Sequence, residues 1–357
     1  MEFNMKKTRI AFIGVGNMVQ NVWLPILEKN YCEIVAFIDP NISALIHLKT
    51  LYPNVQFYNQ LESKALKDVD IAFVCSPNVY HVSHTLFCLQ NNVHVVIEKP
   101  ACFSRNEAKK IINASVCAGK RFWISSASTE RSDVKLFELL IDEHGLKDVA
   151  CIELIWRRAN GIPKMGSWFT DQQSAIGGCG ADLGWHVLDV GLKFLGYPNI
   201  KNANCTKSNH QADLPNKEAD WYKNENENQI YENVITVESQ MYANFLTDNN
   251  CTVRLSTAWE SHQEFDSTHI RLFATGGELN LDCTFGFSPH GIKTQLKLLQ
   301  NGNQKKFLTK KEDKIAPYEK FIDRIFIEHA SVEQQTHQQL ENNKILSLGS
   351  AMEALYN

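Results

Sequence analysis

The chain has 357 residues, with 36 Lys and Arg against 40 Asp and Glu, and a formal net charge of −4. That balance argues against a general nucleic-acid binder, and no apolar run is long enough to cross a bilayer. The length and a 44% hydrophobic fraction fit two globular domains.

The first third alternates short apolar runs with helical stretches. Arg9–Ile13 reads as a buried strand, followed by Gly14-Val15-Gly16 and a helix over 17–29. Strands are expected over 33–38, 70–75, 93–97 and 122–125, and helices over 42–51, 81–90 and 105–118. Near-continuous apolar strands alternating with helices predict a parallel sheet covered on both faces.

Beyond residue 125 the texture changes. Residues 149–156, 234–245, 251–259, 268–273 and 277–281 read as longer, partly alternating strands of a mostly antiparallel sheet, with one face buried and the other solvated or paired. The Asn-, Lys- and Glu-rich stretch 201–233 reads as a solvated excursion. Ile345, Leu346, Leu348, Met352 and Leu355 recur at helical spacing, which predicts a terminal helix docked on one of the domains. The expected fold is α/β, a Rossmann dinucleotide-binding domain over 5–125 followed by an α+β domain with a large open sheet over 126–340. Residues 341–357 form the final helix.

Ten cysteines are scattered with no Cys-x-x-Cys pair, several of them inside apolar runs such as Ala72-Phe73-Val74-Cys75. Buried thiols in a reducing compartment explain them better than disulfides or a metal site. Met1–Lys7 lacks the order of a secretory signal. The expected location is the cytoplasm, with no metal and no membrane association.

A strand, Gly14-x-Gly16 and a helix form the opening of a dinucleotide site. Gly14 permits a tight turn, and Gly16 lets a pyrophosphate approach the backbone at a helix N-terminus, where Asn17 and Met18 begin. The usual third glycine is replaced by Val19. Asp39 ends the next strand, about 20 residues on, where an acid holds the ribose diol and repels a 2′-phosphate. NAD is therefore favoured over NADP. A turn-forming role ahead of Pro40 is the alternative for Asp39.

Two further segments are more specific: Ile97-Glu98-Lys99-Pro100, and Gly177-Gly178-Cys179-Gly180-Ala181-Asp182-Leu183-Gly184-Trp185-His186-Val187-Leu188-Asp189. Together they resemble the Glu-Lys-Pro and Asp-x-Gly-x-His-x-x-Asp motifs of the Gfo/Idh/MocA oxidoreductases, and Ser76-Pro77-Asn78 with His81 is similar to that family's loop after the fourth strand. The resemblance runs from about Thr8 to the final helix. It implies that Lys99, Asp182 and His186 are catalytic and that Ser76, Asn78, His81 and Glu98, with Lys99, line the cofactor. The second motif departs from the family pattern at Ile176 and Gly180, and Ser125–Arg131 leaves only Arg131 of the usual Asn-Arg-Arg pattern.

The chemistry can be stated from the residues. Oxidation of a secondary alcohol needs a base for the hydroxyl proton as hydride leaves. Asp182 and His186 are four apart and share a face if the stretch is helical, so the carboxylate can orient the imidazole or bind substrate. Lys99 then donates to the reacting oxygen, unless burial lowers its pKa and makes it the base. Without the family context, Lys99 reads as a solvated strand end, Asp182 as a cap and His186 as a core histidine. Arg157, Arg158, Lys164 and Trp168, with Arg131, are candidate contacts to an anionic or sugar-like substrate; a solvated rim or a subunit contact explains those upstream of the motif as well.

The leading function is an NAD(P)-dependent dehydrogenase or reductase acting on a sugar, cyclitol or sugar derivative. The alternatives are a glycoside-cleaving or isomerising enzyme that uses transient oxidation by tightly held NAD, and a non-catalytic NAD-dependent sensor. A homodimer or homotetramer through the open sheet is expected.

Overall fold

The computed structural model describes residues 7–29, 32–159, 161–163, 166–209, 235–288, 290–331 and 334–357. The chain divides into two compact units. One comprises 1–102, 106–125 and 318–342; the other comprises 103–105, 126–317 and 343–357. Residues 318–331 and 334–340, placed by sequence pattern with the second domain, thus pack with the first unit.

The first unit holds strands β1 (Thr8–Ile13), β2 (Cys32–Ile38), β3 (Gln56–Tyr58), β4 (Ile71–Val74), β5 (His94–Ile97) and β6 (Phe122–Ile124). Helices α1 (Leu24–Leu27), α2 (Ile42–Leu51), α3 (His81–Gln90) and α4 (Arg105–Ala118) alternate with them. The strands form a parallel sheet in the order β3-β2-β1-β4-β5-β6. The strand order reverses between β1 and β4, and ligands of open α/β sheets bind at the carboxyl ends of the strands flanking such a point. Phe12 stacks on Phe37 and meets Phe73 at a tilt across the sheet, and Trp23 packs on Phe73, Tyr318 and Phe321. Edge strand β6 is capped rather than left open, because Ile124 N–H donates to Glu341 and Trp123 Nε1–H to Glu328.

The second unit is built on an eight-stranded sheet, ordered β14-β13-β12-β11-β7-β10-β9-β8. Its strands are β7 (Lys147–Arg157), β8 (Ile200–Ser208), β9 (Gln240–Thr247), β10 (Thr252–Ala258), β11 (Ser267–Thr275), β12 (Gly277–Cys283), β13 (Gln295–Gln300) and β14 (Asn303–Phe307). Only the β7–β10 pair is parallel. Ile152, Leu154 and Trp156 of β7 are buried on one face, as are Met241, Ala243 and Phe245 of β9. The opposite face carries Glu153, Ile155 and Arg157, and Tyr242, which is 45% exposed. Helices α5 (Ser132–Glu143), α6 (Gln172–Ala175) and α7 (Trp185–Phe194) belong to this unit, while α8 (Ala316–Ala330) and α9 (Gln334–Tyr356) are divided between the two.

The structure corrects the reading of 201–233 as an excursion. Ile200–Ser208 is strand β8, paired antiparallel with β9 at the sheet edge. Its sequence lacks an apolar alternation because only the main chain is paired there, and its lysines suit an exposed edge. Residues 210–234 lie outside the described residues. Strands β13 and β14 were also not expected; Asn301-Gly302, both at positive φ, make the two-residue turn that joins them.

Candidate functional site

The turn after β1 is shaped by two glycines with different duties. Gly14 has φ +86°, and a Cβ there would stand 2.6 Å from the backbone of Cys75 and Ser76 at the end of β4. Its missing side chain therefore lets two strand ends meet at the switch point. At Gly16 a Cβ would meet no protein atom within 4 Å. That exposed glycine opens the helical stretch 17–27, which includes Asn17, Met18 and a wide π turn from the buried Val19. Bare backbone at a helix start, with open space in front, fits a phosphate group. Asp39, half-buried at the end of β2, is fixed beside this turn. Its Oδ2 accepts from Val15 N–H at 2.8 Å and its Oδ1 from Asn41 N–H at 2.8 Å. These residues suit a dinucleotide.

The loops after β4 and β5 are tied together by His81. Its Nδ1 lies 2.7 Å from the Pro100 carbonyl oxygen and its Nε2 2.7 Å from that of Ser76. The ring lies between the two loops and, when neutral, donates its one N–H to one of these carbonyls, so His81 ties the loops together instead of facing a cofactor. Burial pushes its pKa down to about 4, outweighing the two carbonyls that favour the charged ring. Ser76 Oγ lies 3.0 Å from His84 Nδ1, and Asn78 is buried at the start of the next turn. Glu98 is buried as well: Oε1 accepts from Trp23 Nε1–H and Oε2 from Lys99 N–H, each at 2.9 Å. Burial raises its pKa despite the neighbouring Lys99 charge. Glu98 thus fixes the backbone from which the Lys99 side chain departs.

In the second unit the glycine-rich segment opens a helix. Gly180–Gly184 is a π turn that continues into α7, so Asp182 and His186 do lie on one helical stretch. A carboxylate organises the entry: Glu238 Oε1 accepts from Gly178 N–H, Gly180 N–H and Tyr356 OH at 2.9, 3.0 and 2.6 Å. A Cβ at Gly177 would collide with the Tyr356 ring, and one at Gly180 with the Met241 side chain and Tyr356 OH, so both positions need a small residue.

Asp182 Oδ2 accepts from Trp259 Nε1–H at 2.9 Å and lies 3.4 Å from Arg158 Nη2. His186 Nδ1 lies 3.1 Å from Ser128 Oγ, and its ring is 5.7 Å from that of Trp156. The carboxylate therefore faces an indole and a guanidinium, and the imidazole faces a hydroxyl. Ser128 and Trp259 carried no signal in the sequence: one sits in a segment that departs from the family pattern, and the other reads as the end of an apolar strand.

The weaker candidates separate on geometry. Trp168 packs at a tilt against Phe169, which packs on Trp259 beside Asp182. Arg158 points into the same group and also donates to the Gly161 carbonyl. Arg157 does not join them: it bonds Ser256 and lies over Tyr242, on the sheet face opposite Trp156 and His186. Arg131 is committed to Asp133 through two hydrogen bonds and to the Phe285 ring. Lys164 lies outside the described residues. Among the described residues no group of His, Cys, Asp or Glu has the makings of a metal site, and no helix is long and apolar enough to cross a membrane.

Comparison with known proteins gives the family and the fold. A family described as "Oxidoreductase family, NAD-binding Rossmann fold" matches residues 8–126. The chain is 30% identical to a putative UDP-kanosamine synthase oxidoreductase subunit of Amycolatopsis mediterranei, over 79% of this chain and 77% of that protein. It is 28% identical to D-glucoside 3-dehydrogenase of Escherichia coli, over 55% and 56% respectively. The crystal structure of GenD2 from gentamicin A biosynthesis, in complex with NAD, shares the fold: the TM-score is 0.74 over 99% of this chain and 94% of that one, at 18% identity.

Proposed function

The chain belongs to the Gfo/Idh/MocA oxidoreductase family and is a dehydrogenase or reductase acting on CH–OH groups, and from that premise we propose that it moves hydride between NAD and a ring carbon of a sugar derivative. The observation that carries this reading is the pairing of Asp182 with Arg158 and Trp259 on the same helical stretch as His186 with Ser128. Held groups of this kind suit a polyhydroxylated ring better than a flat apolar substrate. The relatives named for a D-glucoside and for UDP-kanosamine favour a hexose carried on an aglycone or a nucleotide.

When bound, the nicotinamide takes up or returns the hydride. His186 takes the hydroxyl proton at Nε2 during oxidation and returns it during reduction. Asp182, held by Trp259 and Arg158, accepts from a neighbouring substrate hydroxyl. Lys99 donates to the reacting oxygen and steadies its developing charge. The backbone at Gly16 would hold the pyrophosphate and Asp39 would accept from the ribose diol, an arrangement that would favour NAD over NADP. Subunits associate through the sheet face that carries Ile155 and Tyr242.

The test is NADH absorbance across D-glucosides, nucleotide sugars, sugar phosphates and cyclitols. We expect a substrate among the first two classes, with turnover lost about a hundredfold or more in His186→Ala and NAD affinity unchanged. Near-wild-type turnover in that variant would overturn the assignment of His186.

A further inference from the structure

We propose that Glu238 and Tyr356 are positioning residues: together they fix the start of the helical stretch that carries Asp182, and with it the place of the Asp182 carboxylate. The proposal deepens the functional reading above and rests on it for the part Asp182 plays with substrate.

A helix leaves the N–H groups of its first turn without partners inside the helix. Residues 178–181 stand at that place, and two residues take all four of their N–H groups. Glu238 Oε1 accepts from Gly178 N–H at 2.9 Å and from Gly180 N–H at 3.0 Å. The Glu238 main-chain carbonyl accepts from Cys179 N–H at 3.0 Å. The Tyr356 hydroxyl oxygen accepts from Ala181 N–H, and its proton goes to Glu238 Oε1 at 2.6 Å. The next N–H, that of Asp182, donates to the Gly178 carbonyl at 2.8 Å, a bond of α-helical spacing. Burial and the Glu238 charge push the Tyr356 pKa up, so the phenol keeps its proton and stays a donor. A carboxylate at this end also matches the positive end of the helix dipole.

The same grip reaches the partner of Asp182. Ser239, next in the chain to Glu238, accepts from Trp259 N–H through its carbonyl at 3.0 Å. The Trp259 indole then donates to Asp182 Oδ2 at 2.9 Å. Two adjacent residues therefore set both the backbone from which Asp182 departs and the backbone of the indole that holds it. Glu238 and Ser239 are buried, so water does not compete for these bonds. The approach is close: a Cβ at Gly178 would stand 2.0 Å from the Glu238 carbonyl oxygen. Removing the phenolic oxygen takes the acceptor from Ala181 N–H and a donor from Glu238, and a buried N–H left alone drives the turn toward other partners.

The experiment is nitrogen NMR of the full chain with 15N-tryptophan, with the Trp259 indole signal identified by its loss in Trp259→Phe. Trp23 and Trp123 of the first unit are the internal references. Asp182→Asn, which weakens the indole bond directly, gives the direction of the shift to look for. We expect Tyr356→Phe and Glu238→Ala to move the Trp259 signal in that direction and leave the two references in place. Glu238→Gln keeps an oxygen acceptor and should move it less than Glu238→Ala. A loss of stability alone would leave the folded-state signal where it is in wild type. An unshifted Trp259 signal in Tyr356→Phe, which keeps the ring and its packing, would overturn the proposal even if Glu238→Ala fails to fold. With a substrate from the panel, Tyr356→Phe should lower kcat about tenfold or more at unchanged NAD affinity, and wild-type kcat would also overturn it. Full turnover in Asp182→Asn is a different result: it removes Asp182 from the functional reading and leaves the spectrum, which needs no substrate, as it stands.

Discussion

Replacing each glycine of the first turn by alanine separates fold from ligand. At Gly14 the new methyl would stand 2.6 Å from the Cys75 carbonyl carbon and oxygen and from Ser76 N, with φ at +86°. All three are backbone atoms at the end of a central strand, so the neighbour cannot rotate away. Overpacking of this kind costs about 1–3 kcal/mol, and an L side chain at positive φ adds about 1–2 kcal/mol. The expected loss is about 2–5 kcal/mol, or roughly 5–15 °C in the melting temperature of a unit this size. At Gly16 nothing lies within 4 Å and φ is not positive, so Gly16→Ala should stay within about 0.5 kcal/mol of wild type. Its methyl would instead occupy the space facing the helix start, and NAD affinity should fall about tenfold or more. Thermal unfolding followed by circular dichroism and calorimetric NAD titration read the two effects independently. A Gly14→Ala protein as stable as wild type would refute the packing argument, and unchanged NAD affinity in Gly16→Ala would refute the phosphate assignment.

Further outcomes follow from other residues. Lys99→Ala should lose turnover while keeping NAD affinity; steady-state kinetics with the substrate found in the panel decides this, and full turnover removes Lys99 from the mechanism. Asp39→Ala should narrow the preference for NAD over NADP, measured as the ratio of dissociation constants, and an unaltered ratio assigns Asp39 to the turn alone. The depressed pKa of His81 makes its contribution to stability present above the usual value of 6.5 and lost as pH falls toward about 4. Integrated over that window it amounts to about 3 kcal/mol, so His81→Asn should show a shallower acid slope in urea denaturation between those limits. Light scattering should report a dimer or tetramer at micromolar concentration, and a monomer rules out association through the open sheet.

Much of the parallel sheet was legible because its strands are buried on both faces and announce themselves as unbroken apolar runs: Arg9–Ile13 and Asp70–Cys75 each matched a central strand closely. The Gly14, Gly16 and Asp39 pattern was legible because backbone conformation and charge at a strand end are local demands. Strand β8 was not, since its polar residues are held by pairing with β9 and not by a core. His81 illustrates the limit at one residue: its place in a loop motif pointed to the cofactor, and its ring lies between the carbonyls of Ser76 and Pro100.

The sequence by itself determined the fold class, the family and the residue types able to transfer a proton, because periodicity and motif spacing are written in chain order. Only the tertiary structure decided which partners those residues have. Asp182 meets Trp259 and Arg158, His186 meets Ser128, and Arg157 turns to the other face of the sheet. The reason is physical: hydrogen-bond partners here lie 24 to 99 positions apart in the chain, and only strand register and helix packing bring them within 3 or 4 Å.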